Sequence, residues 1–317
     1  MVDKWSKKPS MMKKIIKRGC GCLLGTILLL VITGVVILNK FDPKWHDAYG
    51  QRFIDVAYGS REHNTYDLYL PTNAAQQDSL ALILYVHGGS WIGGDKKYRH
   101  GDCYMWVQKG YATATMNYSL LTEDSVSLLT MQDEIDACIR HIQHFAAGQG
   151  AHIRQMCIGG TSAGGHLAMM FAYGRPHPLP IRFVAVKVAP SDFRILFPYH
   201  AEASEAEISK FIFSCTGERM EAHPLTPQQL DSIKLQASPV FYINDSTALP
   251  AIFAYGEQDD LVKPANYHAL QARYDSLASP YDLIVFPNSN HFLMSDKNCI
   301  ERYDSTLNAY CKKYFGY

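Results

Sequence analysis

The 317-residue chain has no excess of charge of either sign, because 30 lysines and arginines balance 30 aspartates and glutamates. A nucleic-acid partner would require a basic face that contacts phosphates, so this balance argues against nucleic-acid binding. The sequence also lacks internal repeats and low-complexity tracts, which excludes a repeat architecture. Hydrophobic residues make up 47% of the chain, enough to bury the core of one large globular domain.

The eight cysteines lack the spacing of a metal site or of a disulfide scaffold. The chain contains no C-x-x-C pair, and its cysteines and histidines do not fall at zinc-ligand spacing. We therefore expect no metal, and the absence of a cofactor-binding motif predicts no cofactor. Cys138 and Cys157 occupy apolar positions of a predicted helix and strand and are expected in the core. A disulfide among the other cysteines stays open.

An uncharged run from Gly19 to Leu38 follows a basic N-terminal tail. As a helix, this run would span about 30 Å, the thickness of a bilayer's hydrocarbon core. The basic residues all precede it, so the positive-inside rule places the N-terminus in the cytoplasm. We predict a cytoplasmic tail at 1–18, a transmembrane signal anchor at 19–38, a linker at 39–50 and one extracytoplasmic domain at 51–317. A cleaved signal peptide, which would release a secreted protein, is the alternative.

Six continuous apolar runs predict strands buried on both faces. They are Leu80–Val86, Tyr111–Met116, Met156–Ile158, Phe183–Val188, Ala251–Tyr255 and Asp282–Phe286. Two earlier segments with alternating polarity, Arg52–Ala57 and Thr65–Leu70, predict antiparallel edge strands. Together these segments predict an eight-stranded, mostly parallel sheet.

Segments with helical periodicity lie between the strands. Met131–Phe145 has an apolar stripe, with Glu134 and other charged residues off it. Further predicted helices are Leu167–Tyr173, Asn266–Leu277 and Asn298–Tyr314. The alternation of strands and helices predicts a doubly wound α/β fold. Residues 193–249 break the alternation and are expected to form a helical cap insertion over the sheet.

A G-x-S-x-G pentapeptide spans Gly160–Gly164, between a predicted strand and a predicted helix. In this setting the serine lies on a strained turn that exposes its hydroxyl as a nucleophile, and the following helix begins with free N–H groups. The pattern therefore indicates Ser162 as the nucleophile. A glycine-rich turn with an incidental serine is the alternative for the pentapeptide taken alone.

The segment His87–Trp91 follows another predicted strand and reads H-G-G-S-W. Two consecutive glycines allow backbone N–H groups to point at a substrate oxygen without obstruction by side chains. We predict an oxyanion hole formed by the N–H groups of Gly88, Gly89 and Ala163. The side chain of His87 is expected to brace the loop rather than to transfer protons.

An attacking serine requires a base, and the base requires an orienting carboxylate. Where the nucleophile lies on such a strand–turn–helix elbow, the order along the chain is serine, acid, histidine. Each of the three lies in a loop at a strand's carboxyl end. His291 follows the last predicted strand and fits the base. Asp259 follows the preceding strand and fits the acid. The rival acids are Glu257, Asp260 and Asp192.

Five segments resemble the carboxylesterase branch of the α/β-hydrolases that has an HGG-type oxyanion loop. They are LILYVHGGSWIGGDK, YATATMNYSL, CIGGTSAGGHLAMM, AIFAYGEQDDLVKP and FPNSNHF. The resemblance covers about residues 50–317. Within this branch, the chain looks most like the group of bacterial esterases similar to feruloyl and acetyl esterases. It implies Ser162, Asp259 and His291 as the triad, with Gly88, Gly89 and Ala163 as oxyanion donors.

Two departures from the family pattern lie near these motifs. Thr161 stands where the family often has an acidic residue, and Asn117-Tyr118-Ser119 stands where it often has Asp-Tyr-Arg. Neither departure replaces a predicted catalytic group, so they affect the expected substrate preference more than the expected activity.

The predicted activity is ester hydrolysis through an acyl-enzyme on Ser162. The expected substrate is a small-molecule or glycan ester with a short acyl group, such as an acylated sugar, which follows from the resemblance and the predicted topology. The alternatives are a lipase-like esterase, a formamidase, a serine peptidase, or a non-catalytic binding protein on a hydrolase fold. The oligomeric state stays open.

Overall fold

The computed structural model describes residues 44–123, 125–197, 205–218 and 226–316. The predicted tail, the predicted anchor and the first residues of the linker lie outside these ranges. Within the ranges, no helix combines the length and the apolar character needed to cross a bilayer.

The sheet has eight strands in the order β1-β2-β4-β3-β5-β6-β7-β8. Their bounds are β1 (Gly50–Ala57), β2 (Thr65–Pro71), β3 (Leu80–Val86), β4 (Ala112–Met116), β5 (Ile153–Thr161), β6 (Ile181–Lys187), β7 (Ala251–Gly256) and β8 (Tyr281–Phe286). Strand β2 pairs antiparallel with β1 and β4, and the remaining pairs are parallel. The mostly parallel sheet is as predicted. The prediction that both early strands are edge strands is wrong for β2, which lies between β1 and β4.

Helices cover both faces of the sheet. In the described ranges they are α1 (His100–Val107), α2 (Leu128–Gly148), α3 (Ala163–Gly174), α4 (Phe193–Leu196), α5 (Glu205–Thr216), α6 (Pro227–Gln236), α7 (Ala265–Ser276) and α8 (Lys297–Phe315). The sequence did not predict α1, because its apolar residues do not form a single stripe. Four of its eight residues are nevertheless buried, and packing on the sheet stabilises it.

The apolar strands separate two hydrophobic cores. In β5, Ile158 faces the core that contains Ile139 of α2, whereas its neighbour Cys157 faces the core that contains Leu307 of α8. Successive residues of a strand point to opposite faces, so a strand covered on both sides must be apolar at every position. This requirement explains the continuous runs in the sequence.

The side chain of Glu134 is buried although the residue lies off the apolar stripe of α2. Its carboxylate accepts hydrogen bonds from the backbone N–H of Ser119 at 2.7 Å and from the Ser119 hydroxyl at 2.6 Å. The bonds offset the cost of removing the carboxylate from water and attach α2 to the segment that follows β4.

The segment 193–249, for which the sequence predicted a helical cap insertion, contains short helices joined by turns and loops where the structure describes it. It contains α4, α5, α6 and a 3₁₀ turn at Pro239–Phe241. Helix α6 begins with a capping box, in which the Thr226 hydroxyl accepts from the backbone of Gln229. The Phe193 ring at the start of α4 stacks on the ring of His166 in helix α3, with a centroid distance of 4.7 Å. The segment therefore packs next to the turn that contains the G-x-S-x-G motif.

Candidate active site

Ser162 lies on a sharp turn between β5 and α3. Its backbone has φ 54° and ψ −126°, a conformation that costs a non-glycine residue roughly 1–3 kcal/mol. The Ser162 N–H donates to the carbonyl of Lys187 at 2.9 Å, which attaches the turn to β6. A Cβ on Gly164 would lie 2.2 Å from the carbonyl oxygen of Val86, so only glycine permits this close approach. The geometry is that of a nucleophile elbow.

Three predicted residues form one hydrogen-bonded chain. Nε2 of His291 lies 3.0 Å from Oγ of Ser162. Nδ1 of the same ring lies 2.7 Å from Oδ2 of Asp259. A carboxylate accepts and cannot donate, so Nδ1 holds the ring proton and Nε2 is free to accept the serine proton. The arrangement can deprotonate the serine as it attacks a carbonyl carbon.

The carboxylate of Asp259 is held from its other side. Its Oδ1 accepts from the backbone N–H groups of Leu261 and Val262, each at 2.9 Å, and the residue is 2% exposed. These two bonds satisfy one oxygen and direct the other toward His291. Asp259 therefore has a fixed orientation that an exposed carboxylate would lack.

The rival acids have other partners or face solvent. Asp192 caps the start of α4 and binds the guanidinium of Arg194 at 2.7 Å. Glu257 accepts from the hydroxyl of Tyr267 at 2.6 Å. Asp260 is exposed. Of the four carboxylates considered from the sequence, Asp259 is the one that contacts His291.

The loop after β3 passes close to the elbow. A Cβ on Gly88 would lie 2.7 Å from the carbonyl oxygen of Thr161 and 3.3 Å from Cβ of Ser162. Within the described part of the chain, the N–H groups of Gly88 and Gly89 donate to no protein acceptor. Ala163 is the first residue of α3, where N–H groups lack helical partners. The structure thus brings Gly88 and Ala163 next to Ser162, and Gly89 is the next residue of the same loop.

His87 braces this loop from inside the protein. The ring is buried, and its Nδ1 donates to the carbonyl of Gly88 at 2.8 Å. It stacks on Tyr118 with a centroid distance of 4.3 Å. Burial lowers the pKa of His87 to about 4, so the ring is neutral near pH 7. These contacts agree with the structural role expected for this residue.

Three aromatic rings pack together beside the elbow. Trp91 of the loop meets the His166 ring edge-on at 5.2 Å and the Phe193 ring at 5.4 Å. His166 is fully buried on α3 and its Nε2 donates to the carbonyl of Ala237 at 2.8 Å. The sequence did not assign Trp91 a role, and only its place two residues after Gly89 could have indicated one.

Lys96 and Asp67 are two further residues that the sequence analysis missed. Both are buried, and Nζ of Lys96 lies 2.6 Å from Oδ1 of Asp67. A signal was available, since Asp67 is the only charged residue of β2 and Lys96 directly follows the glycine-containing loop. Within the described ranges, no group of three His, Cys, Asp or Glu side chains could hold a metal ion.

A comparison with protein families identifies the chain. The profile of the BD-FAE family matches residues 66–274, which include the loop after β3, the elbow and Asp259. The chain belongs to the BD-FAE family. The members of this family are α/β-hydrolase esterases.

Solved structures support the fold of this BD-FAE protein. A truncated form of a carbohydrate esterase from gut microbiota is 17% identical, with a TM-score of 0.66 over 84% of this chain and 99% of that one. Esterase B from Lactobacillus rhamnosis is 18% identical, with a TM-score of 0.68 over 92% of this chain and 94% of that one. At these identities the similarity establishes the α/β-hydrolase fold.

Curated relatives of the BD-FAE protein match a shorter stretch. The kynurenine formamidase of Danio rerio is 31% identical over 120 residues, and that of Salmo salar is 28% identical over the same length. The chain spans 38% of the length of these relatives.

Proposed function

We propose that the protein hydrolyses short-acyl esters of small molecules or glycans through an acyl-enzyme on Ser162. The observation that carries this proposal is the chain of two hydrogen bonds, of 3.0 and 2.7 Å, from Ser162 through His291 to Asp259. A buried, oriented carboxylate fixes the histidine tautomer that can accept the serine proton. The solved carbohydrate esterase supports an acylated sugar as the substrate class, by analogy of fold alone.

In the first half of the reaction, Nε2 of His291 takes the hydroxyl proton while Oγ of Ser162 bonds to the ester carbonyl carbon. The carbonyl electron pair moves to oxygen, and the resulting oxyanion accepts from the N–H groups of Gly88, Gly89 and Ala163. The tetrahedral intermediate then expels the alcohol oxygen, which takes the proton from His291. An acyl-serine ester remains.

In the second half, water replaces the alcohol. His291 accepts one water proton as the water oxygen attacks the acyl carbon, and the same backbone donors hold the second oxyanion. Collapse returns the proton to Oγ of Ser162 and releases the carboxylic acid. Asp259 stays ionised throughout and stabilises the imidazolium that forms twice per cycle.

The preference for a short acyl group is supported by the rings beside the elbow. Trp91 is 7% exposed, and its ring packs edge-on against the stacked rings of His166 and Phe193. We propose that the rings of Trp91 and Phe193 close the acyl side of the site. A long alkyl chain would then have to displace a buried indole, whereas an acetyl or butyryl group would not.

The test uses the full chain, purified in a non-ionic detergent, with p-nitrophenyl esters of two to sixteen acyl carbons. We expect the highest kcat/KM for acetyl and butyryl esters, and a loss of at least about 10⁴-fold in kcat for Ser162→Ala. Acetylated xylose or glucose then replaces the chromogenic ester. Equal rates for wild type and Ser162→Ala would refute Ser162 as the nucleophile, and turnover of palmitoyl esters alone would refute the short-acyl preference.

A formamidase is the second candidate, favoured by the 31% identity to the zebrafish kynurenine formamidase over 120 residues. The same machinery can cleave an N-formyl amide, provided that His291 protonates the leaving amine. Comparison of kcat/KM for an N-formyl aromatic amine and for the acetyl ester separates the two. A ratio in favour of the formyl amide would make formamide hydrolysis the principal activity.

We also propose that residues 19–38 anchor the protein, with the catalytic domain on the extracytoplasmic side. The support is the uncharged run and the basic cluster that precedes it. The full chain should resist extraction from membranes by alkaline carbonate, and protease added to intact cells or spheroplasts should degrade the catalytic domain. Release by carbonate, or protection of the domain until the cells are lysed, would contradict the proposal.

A further inference from the structure

A buried ion pair lies directly after the loop that contains Gly88 and Gly89. We define the oxyanion loop as residues 87–95, and Lys96 is the next residue. Nζ of Lys96 lies 2.6 Å from Oδ1 of Asp67, and the two residues are 5% and 0% exposed. Burying two charges costs free energy unless their geometry and remaining hydrogen bonds are good. The pair therefore requires partners, and the structure provides them.

The Asp67 carboxylate is fully bonded. Besides Lys96, it accepts from Nε2 of His100 at 2.7 Å and from the backbone N–H of Asp55 at 2.8 Å. Nζ of Lys96 also contacts Oδ1 of Asp55 at 2.6 Å. Burial alone would raise the pKa of Asp67, but the bonds from His100 and Lys96 outweigh it and hold that pKa below its ordinary value. Asp67 is thus a charged, immobile acceptor within strand β2.

The backbone of Lys96 is fixed as firmly as its side chain. Its N–H donates to Oδ1 of Asn117 at 2.6 Å, and its carbonyl accepts from the Thr115 hydroxyl at 3.0 Å. At the other end of the oxyanion loop, the Tyr118 hydroxyl donates to the carbonyl of His87 at 2.9 Å. The end of β4 and the residues that follow it therefore hold the loop at both ends.

The oxyanion loop needs such restraint because its conformation is strained. Ser90 and Trp91 have φ values of 54° and 60°, in the left-handed region that L-residues rarely occupy. Gly89 and Gly94 also have positive φ, of 131° and 110°. Glycine adopts such angles readily, so the strain lies at Ser90 and Trp91, and it will relax unless the surrounding structure prevents it. Relaxation would redirect the N–H groups of Gly88 and Gly89.

We propose that Lys96 is a positioning residue for the reaction. Its ion pair with Asp67 clamps the C-terminal end of the oxyanion loop and keeps the N–H groups of Gly88 and Gly89 directed at the developing oxyanion. The inference rests on the proposed acyl transfer at Ser162. Since the oxyanion exists in the transition state and not in the bound substrate, loss of the clamp should lower kcat and leave KM nearly unchanged.

The principal variant combines Lys96→Met with Asp67→Asn, in the full chain. Removing both charges avoids leaving either one buried without its partner. The matched control combines Lys234→Met with Asp231→Asn, because Lys234 is 2% exposed and its Nζ lies 3.2 Å from Asp231 on helix α6. The control thus removes a second buried ammonium and its pair. Lys96→Arg keeps the cation and is the conservative variant.

For the principal variant we expect kcat on p-nitrophenyl acetate to fall about 10- to 100-fold, less than the loss of a whole oxyanion donor, with KM within about twofold of wild type. Affinity for a trifluoromethyl ketone, which adds the serine oxygen and forms an oxyanion, should fall by the same factor. The control should stay within about twofold on all three quantities. Lys96→Arg should recover part of kcat, because the guanidinium keeps the positive charge although it is larger and planar.

A second measurement does not depend on catalysis. Hydrogen–deuterium exchange of peptides that cover residues 87–95 should be faster in the principal variant, also in a Ser162→Ala background. Unchanged exchange, or kcat within twofold of wild type in a folded variant, would overturn the clamp. Absence of any esterase activity in the wild-type protein would instead overturn the proposed function, while the exchange result would still decide the clamp.

A milder variant covers the case in which the principal variant fails to fold. The Asp55 side chain is 72% exposed and contacts Nζ of Lys96 from outside. Asp55→Asn should therefore fold and lower kcat about two- to fivefold without a change in KM, as expected for a partly screened contact. An unchanged kcat in Asp55→Asn together with unchanged exchange at 87–95 would then overturn the proposal.

Discussion

Replacing Asp259 by asparagine tests the orientation of the triad most directly. Oδ1 of Asp259 accepts from the N–H groups of Leu261 and Val262, each at 2.9 Å. In Asp259→Asn the amide oxygen must take that place, because the amide NH₂ group cannot accept these two bonds. The NH₂ group then faces Nδ1 of His291 at the position where the carboxylate oxygen accepted a proton.

The consequence is the wrong histidine tautomer. With a donor opposite Nδ1, the ring proton moves to Nε2, which then cannot accept the proton of Ser162. A tautomer error of this kind in a Ser-His-Asp triad costs about 10⁴-fold in kcat, or about 5 kcal/mol of transition-state stabilisation. Stability should change little, since both backbone bonds to the side chain are kept.

The assay is kcat and KM on p-nitrophenyl acetate for Asp259→Asn, Asp192→Asn and Asp260→Asn, with thermal unfolding of each. Asp192 binds Arg194 and Asp260 is exposed, so both controls should keep kcat within about tenfold of wild type. Retention of more than a tenth of the wild-type kcat by Asp259→Asn would refute the orientation argument. A selective loss in Asp192→Asn would move the acid to the preceding strand.

Three further predictions follow from the same geometry. Gly88→Ala places a Cβ 2.7 Å from the carbonyl oxygen of Thr161, so kcat should fall about 10²- to 10³-fold, and steady-state kinetics on the acetyl ester measures it. Trp91→Leu should raise the hexanoyl-to-acetyl ratio of kcat/KM about tenfold, whereas Trp106→Leu, at a fully buried tryptophan in α1, should not change it. Burial lowers the pKa of His166 to about 4, below its unfolded value, so the unfolded chain takes up the proton first as the pH falls. The resulting contribution to the free energy of unfolding is present above pH 6.5 and lost toward pH 4, with about 2 kcal/mol lost between pH 7.5 and 5. Urea unfolding of wild type should show this loss, and the loss in His166→Gln should be smaller by that contribution.

The sequence predicts the sheet well because its strands must be apolar on both faces. Leu80–Val86 has the same bounds in the prediction and in the structure. The elbow requires glycine at Gly164, because the carbonyl oxygen of Val86 lies 2.2 Å from the position that a Cβ would occupy. These are local requirements, so they are visible in local patterns. Helix α1 forms instead because the sheet covers it, and no local periodicity shows that.

Charged residues are those whose burial is hardest to predict from the sequence. Glu134 and Lys96 both resemble solvated surface charges in the sequence, yet both are buried with their partners supplied from distant segments. Ser119 lies 15 residues before Glu134, and Asp67 lies 29 residues before Lys96. A buried ion pair becomes predictable only once the strands that bring its members together are known.

Ester and formamide hydrolysis place different demands on the same site. A formyl group has hydrogen in place of an alkyl chain on its carbonyl carbon, so its cleavage should not depend on the acyl-side wall that we propose for Trp91 and Phe193. An acetyl or butyryl group does depend on it, because the alkyl part must lie against that wall. Trp91→Leu should therefore change the acyl-length profile of ester hydrolysis and leave the kcat/KM for an N-formyl amide within about threefold of wild type. Equal effects on both reactions would mean that Trp91 positions the oxyanion loop and not the acyl group.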